Sequence, residues 1–433
     1  MSTAILIVSM AAAFYAQPKT SAVRAARMID VKSGNVIKNP VVLIANGRIT
    51  DVGENLKIPD GAQVTDLGDV TLLPGLIDCH THLLQNYKPQ YGGDDTNMIL
   101  TVTQLGTTRR ALLGVAMGRE MLEAGFTTVR DVGNSGLNGD VALRDAIRSG
   151  WVVGPRILAS TRALTAAGGQ FGEVSAETQT IIAQEYVVIS GVEEARRAVR
   201  QAFYDGADLI KVIVNTGPRV VSLDEMKVIV EEAHRVGGKV AAHAIGDQAT
   251  RIAAEAGVDS IEHGYVIPDD VLAMMAKKKI FLVPTDYPAE AYAVAFPPPP
   301  GATAEEIKEN EAEFKEFADG NMDRLKRALK AGVRIAAGSD EYYDIPGKTR
   351  GESAKLTLHA YATSGMTPLQ IIQSATINAA DLLAGPQGPL WGSLEKGRFA
   401  DMIAVGGDPL KDITELDRIK FVMKGGIVIL PKK

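Results

Sequence analysis

Six histidines occur in 433 residues, and four of them sit at the ends of short apolar runs. His80 and His82 close Leu76-Ile-Asp-Cys-His-Thr-His, His243 closes Val240-Ala-Ala-His, and His263 closes Ser260-Ile-Glu-His. On a strand, side chains at i and i+2 share a face, so His80 and His82 can address one ion. Lys211 lies inside the apolar run Leu209-Ile-Lys-Val-Ile-Val. Such a lysine either snorkels to the surface along its alkyl stem or is neutralised by burial. A neutral amine is nucleophilic. It can add carbon dioxide and become a carbamate, an oxygen ligand able to bridge two metals. Asp340 follows Gly338-Ser339 at the end of a further β-branched run. Each residue taken singly reads most simply as structural. Together they are metal-competent groups at one end of five candidate strands. Imidazole and carboxylate donors without thiolate suit zinc, with manganese, cobalt and nickel as other options. Two divalent ions a few ångströms apart would hold a bridging hydroxide and polarise a carbonyl. Asp340 could take the attacking proton and deliver it to a leaving nitrogen. His234 and His359 fall in helical segments and read as structural.

The elements that must position these groups alternate. Eight strands are expected, at Leu76–His80, Thr127–Asp131, Arg156–Ser160, Leu209–Val214, Val240–His243, Ser260–His263, Phe281–Thr285 and Arg334–Ser339. Amphipathic helices are expected between them, at Glu193–Asp205, Leu223–Val236, Gln248–Ala256, Asp269–Lys277 and Met322–Ala331. Glycines such as Gly206, Gly237, Gly257 and Gly332 mark helix ends. Alternation of this kind predicts a parallel sheet, and eight repeats predict a closed (β/α)8 TIM barrel over residues 73–389. In that architecture the carboxyl ends of the strands carry the active site. Residues 20–72 and 390–433 instead alternate apolar and polar, with hairpin signals at Asn46-Gly47 and Gly425-Gly426. They predict a small β-sandwich domain built from both chain ends. One connection, at about 286–320, is too long for the rhythm. It holds Tyr287, Tyr292, Phe296, Pro297–Pro300 and the acidic stretch Glu305–Asp319. Long loops are usually functional or disordered. This one reads as a lid over the site, or else as a solvated helical insertion making oligomer contacts.

Composition narrows the classes. Apolar residues make up 46% and charged residues 23%, as in ordinary globular proteins. The net charge of −6 leaves no basic footprint for nucleic acid. The single cysteine, Cys79, can form neither an intrachain disulfide nor a thiolate cage. The apolar run Ala4–Ala16 is shorter than the roughly 20 residues that span a bilayer, and no other segment reads as a membrane span. Residues 1–19 read as a signal remnant lacking the usual basic start, or as an arm packing on the body or on a neighbouring subunit. The protein is exported or periplasmic if residues 1–16 act as a signal, and cytoplasmic otherwise.

The motif Pro74-Gly-Leu-Ile-Asp-Cys-His-Thr-His, followed in order by Lys211, His243, His263 and Asp340, resembles the amidohydrolase superfamily. The C-terminal Gly397-Arg-Phe-Ala-Asp401-Met-Ile-Ala-Val is similar to that superfamily's return strand. The resemblance covers nearly the whole chain after about residue 20. It implies a binuclear centre: His80 and His82 with Asp340 on the more buried metal, His243 and His263 on the other, and N6-carboxylated Lys211 bridging. Glu123-Ala-Gly-Phe-Thr-Thr-Val-Arg-Asp131, Ile210-Lys-Val and Glu231-Glu-Ala-His-Arg look most like the imidazolonepropionase-related branch, which holds Xaa-Pro dipeptidases and ochratoxin-hydrolysing amidases. Imidazolonepropionases lack the bridging lysine, so Lys211 argues against that activity. Known members of the branch cut an amide joining an acyl group to an amino acid with a free carboxylate.

One segment departs from the pattern. Those dipeptidases commonly carry Gly-Gly-His-Gly after the third strand, where the histidine helps hold the substrate carboxylate. Here it reads Gly168-Gly-Gln-Phe-Gly172. Gln170 carries no charge and Phe171 adds apolar wall. Arg219 is a candidate for the missing positive charge, and Tyr287 and Tyr292 add aromatic surface. The expected function is hydrolysis of the amide of an N-acyl amino acid, a dipeptide or an aromatic small molecule. A cyclic amide or a lactone would undergo the same attack. A non-catalytic binding or assembly protein is the third reading, disfavoured because all six ligand positions are filled. A homo-oligomer is expected by analogy.

Overall fold

A computed structural model of the chain describes residues 20–431. The proposed signal or arm at residues 1–19 lies outside the described residues. The rest is a mixed α/β structure with its parallel strands in two sheets. Leu76–Thr81, Phe126–Asp131 and Arg156–Ala159 make a three-stranded sheet. Tyr186–Val188, Ala163–Thr165, Ile210–Ile213, Val240–Ala244, Ser260–His263 and Phe281–Val283 make a six-stranded sheet, in that order. Seven of the eight expected strands are therefore present, and Ala163–Thr165 and Tyr186–Val188 are additions.

The expected closed eight-stranded ladder is not drawn, and two breaks explain why. Thr161 has a left-handed backbone (φ +62°) that snaps the third strand. The piece before it pairs with Phe126–Asp131, and the piece after it pairs with Ile210–Ile213. Across that seam Asp208 N donates to Ala159 O, and Ala159 N donates to the Asp208 carboxylate. The second break is at Arg334–Ser339, which forms no strand. It is tied by one parallel bridge, Leu282 to Ile335, and by Cys79 N donating to Ala337 O. The Ala337 N–H turns to the Ser374 carbonyl instead of to a neighbouring strand, which ends the ladder. Gly338 is needed here, because a Cβ would sit 2.3 Å from Val283 and 2.8 Å from the His80 Cβ.

Helices cover these sheets largely where the apolar periodicity places them. Leu223–Arg235 starts on a capping box of Ser222 and Glu225 and buries Met226, Ile229, Val230 and Ala233 at helical spacing. The long connection is not a loop. It forms a short helix, Ala289–Ala295, and then a 27-residue helix, Ala304–Lys330. The acidic stretch and the expected Met322–Ala331 helix are one continuous element, opened by a Thr303–Glu306 capping box. Pro297–Pro300 ends the first helix, because the ring removes the N–H donor.

The chain ends meet. A four-stranded sheet holds Arg48–Glu54, Pro40–Ala45, Ser21–Arg24 and Gln63–Asp66. A six-stranded sheet runs Ile427–Leu430, Ile419–Lys424, Met402–Val405, Thr71–Pro74, Arg27–Ile29 and Val36–Lys38. Within it Met402–Val405 pairs antiparallel with Thr71–Pro74. Both hairpin signals are turns, with Asn46 at φ +52° and Gly47 at φ +74°. Val23, Val42 and Ile44 of one sheet share a buried cluster with Leu72, Met402 and Phe421 of the other. Among the described residues, no helix is long and apolar enough to cross a membrane.

Candidate metal centre and active site

The carboxyl ends of the parallel strands open onto a cavity of about 760 Å³ lined by His80, His82, Lys211, His243, His263 and Asp340. The two-residue alternation holds for the first pair, whose rings face the cavity with centroids 5.3 Å apart. His243 lies 4.6 Å from His263, and His263 lies 4.9 Å from His80, ring centre to ring centre. Asp340 Oδ1 sits 3.4 Å from His80 Nε2 and 3.2 Å from His82 Nε2, while its Oδ2 is 3.6 Å from His263 Nδ1. Lys211 Nζ is 3.4 Å from His80 Nε2. One donor atom from each of His80, His263 and Asp340 falls within a 4.8 Å group.

Two of these side chains reach the cavity only through unusual backbone. Glu262 and His263 are consecutive on one strand, so alternation would turn them to opposite faces. His263 has φ +61° and Asp340 φ +55°. Non-glycine residues in the left-handed region cost free energy and concentrate at functional sites. Here that conformation brings both side chains to the ligand cluster.

Protonation suits ion binding. Burial, with the Lys211 charge next, holds His80 well below the ordinary histidine range. The same causes take His243 down to about 3. Burial, with the neighbouring His243 and His80, depresses His263 strongly. All three are neutral imidazoles at pH 7, as a metal ligand must be. Burial also lowers the Lys211 ammonium to about 8, against the opposing pull of Glu262 and Asp340. The Nδ1 atoms of His80 and His82 are occupied, by Glu262 Oε2 at 2.7 Å and by the Gly133 carbonyl at 2.8 Å. Donation there leaves each Nε2 lone pair facing Asp340. A ring fixed from behind by a carboxylate or carbonyl is the usual support of a metal-ligating histidine. The donor set therefore fits divalent metal.

The reading of the sequence assigned no role to Glu262 and Arg130. Both are completely buried, and Arg130 Nη2 meets Glu262 Oε1 at 2.7 Å. Arg130 also donates to Ser260 Oγ at 3.0 Å and to the Cys79 carbonyl. An arginine and a glutamate inside apolar strands were the available signal. Asp78, pushed up to about 6 by burial, accepts from the His80 and Ser339 backbone N–H groups and so ties the first ligand strand to the Asp340 turn. His234 and His359 pair with Asp259 and Asp417 outside the cavity.

The candidate substrate contacts divide. Gln170, Tyr287 and Tyr292 line the cavity. Gln170 Oε1 accepts from Tyr186 Oη at 3.0 Å. Phe171 does not line it: the ring is fully buried against Tyr186, in the apolar cluster that backs the cavity wall. Arg219 does not line it either. It sits on a two-residue hairpin strand and gives its guanidinium to the carbonyls of Ala167 (3.1 Å) and Phe171 (2.9 Å). Its charge goes to bracing the Gly168–Gly172 segment. The walls gain aromatic residues that were not anticipated, among them Tyr265, Phe314, Phe317, Tyr342 and Tyr343.

A family model for the amidohydrolase family matches residues 71–429. The chain belongs to the amidohydrolase family. It is 34% identical over 429 residues to ochratoxinase from Aspergillus niger, covering 91% of this chain and 83% of the relative. The crystal structure of that ochratoxinase aligns with a TM-score of 0.79 at 30% identity, over 95% of this chain and 96% of the other. A Xaa-Pro dipeptidase solved with methionine in its active site gives a TM-score of 0.79 at 30% identity, over 94% and 99% of the two chains. Imidazolonepropionase from Fusobacterium nucleatum is 26% identical over 393 residues, 84% of each chain. Membership and these relatives make the chain a hydrolase of carbon–nitrogen bonds in small molecules. The ligand cluster described above lies inside the matched region.

Proposed function

We propose that the protein is a metal-dependent amidase that cleaves the amide of an aromatic small molecule, in the manner of its ochratoxinase and dipeptidase relatives. The observation that carries this reading is the placement of His80, His263 and Asp340 donor atoms within 4.8 Å of one another at the floor of an aromatic cavity. His80, His82 and Asp340 would hold one divalent ion and His243 and His263 a second, with a carbamate on Lys211 between them. Zinc suits the nitrogen and oxygen donors. Bound there, it would polarise the scissile carbonyl and make water acidic at neutral pH. The chain supplies the rest. Asp340, 18% exposed at the cavity floor, takes the proton from the attacking water and gives it to the departing nitrogen. Glu262 and Gly133 hold the ligand rings in one tautomer. Tyr265, Tyr292 and Phe317 pack the substrate and exclude water. On this reading the two parallel sheets work as one barrel, and the terminal sheets as a sandwich that braces it.

The test is a screen of the full chain, reconstituted with zinc and bicarbonate, against N-acyl phenylalanines, dipeptides and aryl amides, with the released amine measured by chromatography. At least one aromatic amide is expected to be cleaved, and Asp340→Asn to lose about 10²–10⁴-fold in kcat, the usual worth of a positioned proton-transfer group. Wild-type turnover in that variant would remove Asp340 from the mechanism.

A further inference from the structure

Four arginines stand behind the cavity wall, and none of them enters it. Arg110 is spent on Glu185 and the Asn134 carbonyl, and Arg324 on Asp286 and the His263 carbonyl. Arg350 binds the Glu341 and Gln85 carbonyls, and Arg219 those of Ala167 and Phe171. Among the described residues, Lys211 is the one lysine or arginine that lines the cavity, and it sits in the ligand cluster. Four carboxylates besides Asp340 face the same space: Asp94, Asp95, Glu313 and Glu341. Asp94 is close to the floor. Tyr342 packs edge-on against His82 at 5.7 Å, and its hydroxyl reaches Asp94 at 3.4 Å. Tyr343 donates to the same carboxyl at 2.7 Å. Gln170, which also lines the cavity and accepts from Tyr186 Oη, is uncharged.

From this census we infer that the site takes amides whose amine half is aromatic and carries no carboxylate, and that it discriminates against N-acyl amino acids. The inference rests on the amidase reading and narrows it. In the reaction the acyl carbon gains the hydroxyl of water, the C–N bond breaks, and the nitrogen leaves with the other hydrogen. A carboxylate on the carbon next to that nitrogen would be desolvated with the rest of the substrate. It would find no free cation on the wall and would face Asp94 and Asp95. An unpaired charge taken out of water is costly, and like charges brought together across an interface reject a partner. The nine aromatic side chains of the lining instead offer edge-to-face and stacked contacts to an aryl group.

Matched pairs decide it. N-benzoylphenethylamine and N-benzoyl-L-phenylalanine differ only in the carboxylate, and a naphthoyl pair repeats the comparison. With the zinc-reconstituted full chain, kcat/KM is expected to be at least about tenfold higher for the uncharged member of each pair. In the double variant Asp94→Asn/Asp95→Asn that ratio should shrink about threefold or more, through a lower KM for the acid. The readout is the ratio within each pair, because both carboxylates line the cavity and can affect either substrate. Equal or faster cleavage of the N-acyl amino acids overturns the inference while leaving the amidase reading intact. A ratio unmoved in the double variant removes the acids as its cause and overturns the charge argument. Cleavage of no aromatic amide at all overturns both.

Discussion

Scarce residue types were the legible ones. Four histidines in a chain with six, each ending an apolar run, could be picked out and placed at one end of the strands. A lysine in a β-branched run was equally visible. Glu262, one of 52 acidic residues, was marked only by its place in an apolar run, and its role shows only through its tertiary partners. Direction was illegible too. Residue type suggested that Phe171 and Arg219 contact substrate, but packing buried the first behind the cavity wall and the carbonyls of residues 167 and 171 captured the second. Glu262 allows a sharp test at this scale. Its carboxylate is held by Arg130 and accepts from His80 Nδ1, so Glu262→Gln keeps the shape and weakens the charge-assisted bond. Zinc affinity, measured by competition with a chromophoric chelator, is expected to fall about 10–100-fold, the usual effect of losing such a support. Wild-type affinity in that variant would mean that the carboxylate does not orient His80.

Elements were legible where periodicity was clean and obscure where one residue broke it. The alternation of strands and helices was readable, yet nothing in the sequence marked Thr161 as the left-handed residue that splits the third strand. The long connection left two readings open, a lid or a helical insertion, and a capping box with helix-forming residues builds 27 residues of helix there. Between elements, the helices Val192–Tyr204 and Leu223–Arg235 are pinned by one glutamate. Glu232 is buried at 3% exposure and receives Arg200, Arg196 and Arg235. The hydrogen bonds of Arg200, joined by those of the other two and opposed by burial, hold it down to about 2 from an ordinary value of 4.5. For a depressed carboxylate the sign is fixed. Its contribution is complete above pH 4.5 and is lost as pH falls toward 2. Urea denaturation at pH 6, 4.5 and 3 should therefore show a loss of stability with acid that is shallower in Glu232→Gln. Parallel pH profiles for the two proteins would remove Glu232 as a source of acid sensitivity.

At the scale of the molecule, the joining of the two chain ends was readable from the matching turn signals at Asn46-Gly47 and Gly425-Gly426. The way the joined sheet grips the parallel strands was not. That contact rests on Asp401, the residue before the strand Met402–Val405. Its carboxyl is 2% exposed and takes both Arg156 Nε (2.9 Å) and Nη2 (3.1 Å), together with the Gly425 N–H (2.6 Å). Arg156 opens the strand Arg156–Ala159 and lies over the Phe399 ring at 3.6 Å. One carboxylate thus links a C-terminal hairpin to a strand of the catalytic body across 245 residues. Removing one partner of a fully buried pair costs about 3–5 kcal/mol. Arg156 keeps about a quarter of its side chain in water, so Asp401→Ala should cost less, about 2–3 kcal/mol. If the sheets and the body unfold as one unit, that loss appears as a shift of a single denaturation midpoint with unchanged slope. A loss under about 1 kcal/mol would make the link a surface-like pair. A second transition appearing at low denaturant would instead show that the terminal sheets detach first, and that Asp401 is what normally prevents it.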